Sequence, residues 1–111
     1  MITLIGHGYV GKYIANEMFA QKREFFWINH NQGIPWGTSF IINATGHTGV
    51  PNVDACESQK EKTLQGNVVF PMRLHAKFPK ARIIHVGSGC IYHSEYDEYF
   101  NELDEPNFTF D

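Results

Sequence analysis

The chain has few cysteines, no long apolar run, no basic stripe and little surplus charge, and each shortage removes a class of protein. Only Cys56 and Cys90 occur in 111 residues. They stand in no zinc-type spacing, and two do not make a disulfide framework. A reduced, cytoplasmic compartment is the simplest expectation. The six histidines are scattered, with no His-x-x-x-His or Cys-x-x-Cys unit, so no metal site is expected. The formal net charge is −3, and lysine and arginine cluster nowhere, which argues against nucleic acid as a partner. No apolar stretch approaches the roughly 20 residues that a membrane span needs. The first residues already read as strand, so no signal peptide is expected ahead of them. At this length the expectation is one domain, residues 1–111, with enough apolar content for a single core.

What is present begins with glycine. Gly6-His7-Gly8-Tyr9-Val10-Gly11 directly follows the apolar run Met1 to Ile5, and Val10, Ile14 and Met18 then recur at helical spacing. Strand, glycine-rich turn and helix, in that order, are the context in which this spacing reads as dinucleotide-binding. Gly6 suits the tight turn, Gly8 lets backbone approach a pyrophosphate, and Gly11 lets the helix lie close to the strand. The helix start adds unpaired amide N–H groups and a partial positive charge, which favour phosphate. All six residues are therefore candidate cofactor contacts. A glycine turn of purely structural use is the competing reading.

Glu24 to Asn29, with Phe25, Phe26, Trp27 and Ile28, reads as a short, fully buried parallel strand. Asn31, Gly33 and Pro35 break the chain. Ser39 to Asn43 reads as a third strand running into a second turn, Ala44 to Gly49. Lys60 to about Lys77 predicts a helix with Leu64, Val68, Met72 and Ala76 on one face, kinked at Pro71 and ended by Phe78-Pro79. Arg82 to Val86 reads as a fourth strand ending at Gly87-Ser88-Gly89, and Tyr92 to Asp111 as loop with at most a helical turn. Strands alternating with helices imply an α/β fold with right-handed crossovers. The expectation is a Rossmann-like parallel sheet of about four strands with flanking helices, a truncated dinucleotide-binding half. The Met1 strand is expected between the Phe25 and Phe40 strands, with the Arg82 strand outermost. The glycine turns then gather at the carboxyl ends of the strands, where ligands bind in open α/β sheets. The link from Asn31 to Thr38 is too short for the helix and strand that a full mononucleotide-binding half inserts there.

In such folds an acidic residue about 20 positions past the glycine turn holds the adenosine ribose. Here Asn29-His30-Asn31 stands at that point, with neither carboxylate nor arginine. Asn29 and His30 are candidate cofactor contacts, and NAD and NADP both stay open, the missing arginine tilting the choice toward NAD. Asn29 and Asn31 fit equally well as turn residues.

Several longer stretches resemble a known family. Asn43-Ala44-Thr45-Gly46-His47-Thr48-Gly49 resembles the Asn-Ala-Ala-Gly segment of extended short-chain dehydrogenases/reductases. Gly49-Val50-Pro51-Asn52-Val53-Asp54-Ala55-Cys56-Glu57-Ser58 is similar to the nucleotide-sugar 3,5-epimerase/4-reductases that make activated rhamnose, and more loosely to dTDP-4-dehydrorhamnose reductase. Gly87-Ser88-Gly89-Cys90-Ile91-Tyr92 resembles that group and GDP-fucose synthase, and Glu105-Pro106-Asn107-Phe108-Thr109 the rhamnose-synthase type. The resemblance implies an NAD(P)-binding fold that serves reduction of 4-keto-6-deoxy sugar nucleotides. By position it implies Asn43, Ala44, Thr45, Gly46 and Asn67 at the cofactor, and His47 and Thr48 beside the nicotinamide or the sugar. Ser88 falls at the hydroxyl that hydrogen-bonds the 4-keto oxygen. Cys90 falls at an acid/base thiol, which can move a proton next to a ketone if its pKa is brought near neutral. Plainer roles also fit: Ser88 as a turn residue, Cys90 as a small buried hydrophobe, Asn67 as surface polar, Asp54 and Glu57 as helix caps.

The family's reduction relies on a Tyr-x-x-x-Lys pair just beyond the Pro-Asn-Phe-Thr segment. Tyr9, Tyr13, Tyr92, Tyr96 and Tyr99 all lack a lysine four positions on. Losing a proton donor costs roughly 10²–10⁴-fold in rate, so the isolated chain is not expected to turn over a sugar. Three origins are open: one piece of a split enzyme, a truncated product that still binds dinucleotide, or a non-catalytic nucleotide-binding or sequestering module acting as an oligomer. Ile83, Ile84 and Val86 on an outermost strand form an apolar edge that invites pairing. The expected partners are a dinucleotide, a nucleotide-sugar, and either further copies of the chain or a complementary second half.

Overall fold

The computed structural model describes residues 1–46, 55, 57–87 and 101–105. Among these, four strands form one parallel sheet: β1 (Ile2–Ile5), β2 (Phe26–Ile28), β3 (Phe40–Asn43) and β4 (Arg82–His85). Their order is β2-β1-β3-β4, the order expected from the sequence. Helix α1 (Tyr9–Ala20) joins β1 to β2. Between β3 and β4 run α2 (Lys60–Leu64), a π-helical turn (Gln65–Val69) and α3 (Phe70–Lys77). Ile5 lies opposite both Ile28 and Asn43, and Asn43 lies opposite His85. All four strands therefore end level, and the turns that leave them share one rim.

Side chains alternate between the two faces of a strand. Ile5, Ile28 and Ile41 point to one face and form the main core with Leu74 of α3, flanked by Ile34, Phe70, Phe78 and Ile83. Leu4, fully buried, points to the other face, where α1 packs through Gly11, Ala15 and Met18. The helix stripe expected from the sequence was Val10, Ile14 and Met18. Val10 is instead exposed, because α1 meets the turn after β1 through glycine and alanine, and small residues let backbone lie close to backbone.

β2 is less buried than its apolar run suggests. Only Ile28 is buried, and Phe26 is exposed. The cause is topology: among the described residues β2 is an edge strand with β1 alone as neighbour. The link from β2 to β3 carries no helix or strand. Ile34 enters the core cluster from it, doing with one side chain what a helix would do with a face. Thr38 anchors the link: its hydroxyl lies 2.8 Å from that of the buried Thr3 and donates to the Pro35 carbonyl at 2.7 Å.

Two expectations about residues 60–77 need correction. First, Leu64, Val68 and Met72 are exposed, Met72 by 67%, and Ala76 is exposed with them. The segment carries two apolar stripes at helical spacing, and the sheet takes the other one, Phe70 and Leu74. Second, Pro71 does more than kink the helix. It offers no N–H to the carbonyl of Asn67, and its ring crowds that oxygen. The turn before it widens, and the Phe70 N–H donates to the Gln65 carbonyl five residues back. Such π turns are uncommon and concentrate at functional sites.

These packing assignments predict unequal costs one half-turn apart. Leu74→Ala should lower stability by about 2–5 kcal/mol. Met72→Ala should change it by no more than about 0.5 kcal/mol. Urea denaturation followed by circular dichroism reads both.

Candidate functional site

The glycine turn is held by backbone from three directions. Gly6 has φ +117°, a conformation that side chains disfavour, and a Cβ there would sit 2.7 Å from the Ala44 carbonyl oxygen. Its N–H donates to the Ile28 carbonyl at 2.9 Å. A Cβ on Gly11 would overlap the Gly6 carbonyl oxygen. Gly8 differs: nothing lies within 4 Å of a Cβ built on it. It is the N-cap of α1, with no side-chain cap and no acid in the first turn. The first amide groups of a helix have no partner within it, and no side chain caps those of Tyr9, Val10 and Gly11.

An aromatic group that sequence reasoning missed supports this turn. The Trp27 indole N–H donates to the Gly6 carbonyl at 2.7 Å. The His7 ring stacks on Trp27 with centroids 4.3 Å apart and 16° between planes, while Phe19 packs edge-on to Trp27. The only sequence signal was general: a tryptophan in a strand needs an acceptor for its N–H when partly buried.

The second turn leaves β3. The Ala44 N–H donates to the Ile5 carbonyl at 2.9 Å, tying it to the first. Asn43 is fully buried, and its amide is spent internally. Its oxygen accepts from the Thr45 N–H at 3.2 Å and the Thr45 hydroxyl at 2.6 Å. That leaves its NH₂ facing His85 Nδ1 at 3.1 Å. An amide NH₂ can only donate, so Nδ1 accepts and the imidazole proton sits on Nε2. Asn43 thus shapes the Ala44–Gly46 turn and orients His85 at the end of β4. Asn67, from the π turn, comes close to Gly46: a Cβ there would lie 3.1 Å from Asn67 Oδ1.

At the end of β2, the Asn29 N–H donates to Gln32 Oε1 at 2.7 Å and the Gln32 N–H to the Asn29 carbonyl at 3.1 Å. His30 stands edge-on to Phe70, with centroids 6.2 Å apart. Between this strand end and the π turn lies a cavity of about 490 Å³ lined by His30, Thr45, Gly46, Gln65, Phe70 and Arg73, among others. A second, of about 270 Å³, shares His30, Phe70 and Arg73 with it. The glycine turn lines neither cavity and abuts the larger one through Ala44 and Thr45. Glu57 is exposed, and the N-cap of α2 is Gln59, with no side-chain cap. His47, Thr48, Asp54, Ser88 and Cys90 lie outside the described residues. Among the described residues no three His, Cys, Asp or Glu side chains gather to hold a metal ion, and no helix is long and apolar enough to cross a membrane.

Parallel strands in this order, with a glycine turn between β1 and α1, define a Rossmann-like α/β fold. MoeE5, solved in complex with UDP-glucose and NAD, superposes with a TM-score of 0.73 at 18% identity, over 96% of this chain and 42% of that one. No family model matches the chain. Its homologues are rhamnose-forming nucleotide-sugar epimerase/reductases. The bifunctional dTDP-4-dehydrorhamnose 3,5-epimerase/dTDP-4-dehydrorhamnose reductase of Arabidopsis thaliana is 40% identical over 82 residues, covering 64% of this chain. The trifunctional UDP-glucose 4,6-dehydratase/UDP-4-keto-6-deoxy-D-glucose 3,5-epimerase/UDP-4-keto-L-rhamnose-reductase RHM3 of the same plant is 38% identical over 81 residues, again 64% of this chain. The aligned part spans 26% of the first relative and 12% of the second.

The three glycines should respond differently to a single methyl group. Gly11→Ala and Gly6→Ala should each cost about 1–3 kcal/mol through overlap with backbone. Gly8→Ala, with free space around it, should cost about 1 kcal/mol or less. Thermal melting of the three variants checks the order.

Proposed function

We propose that this chain is the dinucleotide-binding portion of a rhamnose-type nucleotide-sugar epimerase/reductase and that it binds NAD or NADP. The observation that carries the proposal is the open space at Gly8 in front of an uncapped α1, inside a turn whose other two glycines are fixed by backbone. The uncapped amides at the start of α1 beside it suit a diphosphate. The Thr45–Gly46 wall and His30 border the adjoining cavity and suit the adenosine half. A bound nicotinamide dinucleotide would supply hydride exchange at the keto carbon of a sugar nucleotide. The chain's own part would be to hold that cofactor, with His85 kept in its Nε2–H tautomer by Asn43. Following the family resemblance, Ser88 would donate a hydrogen bond to the keto oxygen and Cys90 would exchange a proton at the neighbouring carbon. His47 and Thr48 would border the sugar.

The alternative reading is a non-catalytic nucleotide-binding module. Turnover separates the two. Reduction of a 4-keto-6-deoxy sugar nucleotide with NADPH, alone or with a polypeptide that carries the pair, supports the enzyme; dinucleotide binding without turnover supports the module. Titration calorimetry should detect NAD or NADP binding, and Gly8→Val should weaken it by at least about tenfold while lowering stability by only about 1 kcal/mol. If neither dinucleotide binds at millimolar concentration, both readings fail.

β4 supports a further element of the proposal. Among the described residues no strand pairs with its outer edge, and Ile84 is 46% exposed, so a second copy or a complementary half would add to the sheet there. Light scattering at micromolar concentration should report a species larger than 12.7 kDa; a monodisperse monomer would count against this pairing.

A further inference from the structure

We infer that the hydrogen-bond chain Thr45–Asn43–His85 is a proton-sensitive latch. It holds the Ala44–Gly46 turn while the His85 imidazole is neutral and loosens it when the ring takes a second proton. The latch works whether or not a dinucleotide fills the cavity beside it. Every polarity in the chain follows from one group that has no choice. The Thr45 backbone N–H can only donate, so the Asn43 oxygen, 3.2 Å away, must face it. The Thr45 hydroxyl donates to the same oxygen at 2.6 Å. The Asn43 NH₂ must then face His85 Nδ1 at 3.1 Å, and Nδ1 must carry a lone pair. Asn43 is fully buried, so its amide depends on these partners.

A second proton sits on Nδ1 and sets two donors against each other. Two responses are open. If the Asn43 amide turns over, its oxygen accepts the new proton, but its NH₂ then meets the Thr45 N–H, which loses its acceptor. If the exposed imidazole swings into solvent, the buried Asn43 NH₂ is stranded instead. Either course removes a hydrogen bond from a group shielded from water. The first frees Thr45 directly, and the second leaves Asn43 held from one side only. Thr45 and Gly46 line the larger cavity, so the change reaches its wall. Among the described residues His85 is bonded by Asn43 alone. β3 brings no titratable side chain beside it. The helices on that side of the sheet carry Glu61, Lys62, Arg73, His75 and Lys77, none of them bonded to the imidazole.

The test compares the whole chain with His85→Gln between about pH 5 and pH 8, where histidine ordinarily titrates. Glutamine can accept from the Asn43 NH₂ through its side-chain oxygen but takes up no proton there. NMR magnetisation transfer reads hydrogen exchange at the Thr45 amide, corrected for the intrinsic pH dependence of exchange. In the parent, Thr45 protection should fall at least about fivefold from the alkaline to the acid end, the scale of one hydrogen bond. Long-range proton–nitrogen spectra should show His85 as the Nε2–H tautomer at the alkaline end, its titration coinciding with the Thr45 change. In His85→Gln the protection should stay level across the range. Level protection in the parent, an equal acid loss in His85→Gln, or an Nδ1–H tautomer at the alkaline end overturns the latch. Should His85→Gln fail to fold, the parent's tautomer and the coincidence of the two titrations decide the matter.

Discussion

Three backbone segments meet at van der Waals distance where β1 ends, and the rest of the site depends on that contact. Gly6 backs onto the Ala44 carbonyl, and Gly11 sits against the carbonyl of Gly6. No Cβ fits at either contact. The consequence is geometric: α1 starts close enough to the sheet for its first amides to share a rim with the turn from β3. The Gly6 and Ala44 amides donate to the Ile28 and Ile5 carbonyls, so the two turns are extensions of the sheet's own hydrogen bonding. Precise placement of the open donors comes from main chain, which has few alternative positions.

Around this frame, side chains are arranged in supporting roles. Trp27 binds the Gly6 carbonyl, and Asn43 binds Thr45 and His85. Both consume polar groups that the sequence offered as candidates or left unremarked. A buried asparagine with its oxygen and nitrogen both engaged holds one orientation only, and losing either partner would strand a polar group away from water. The π turn is a comparable device. The proline that cannot donate to Asn67 widens the helix, and that widened wall is where the larger cavity forms and where Asn67 approaches Gly46.

The strands, their order and the glycine turn were legible because their signals are local. Apolar runs bounded by Asn, Gly and Pro mark β1, β2 and β3, and Gly6 and Gly11 stand where only glycine fits. The burial of β2 was not legible, since a run of aromatics reads alike in an edge strand and a central one. Nor was the phase of the helix from Lys60. Leu64, Val68 and Met72 form as regular a stripe as Phe70 and Leu74, and the choice between them is made by the sheet. Arg73 and His30 likewise line the same cavities only once α3 has docked. Asn43 was read as a cofactor contact from family position, whereas its bonds to Thr45 and His85 depend on the register of β3 with β4.

The two tryptophans sit in contrasting surroundings. Trp36, in the link between β2 and β3, is 98% exposed, while Trp27 is clamped between an imidazole ring and the carbonyl of the glycine turn. Their emission should therefore separate, one red-shifted and open to collisional quenchers, the other partly shielded. The molecule carries its own optical gauge of the glycine turn, with a solvent reference built into the same chain.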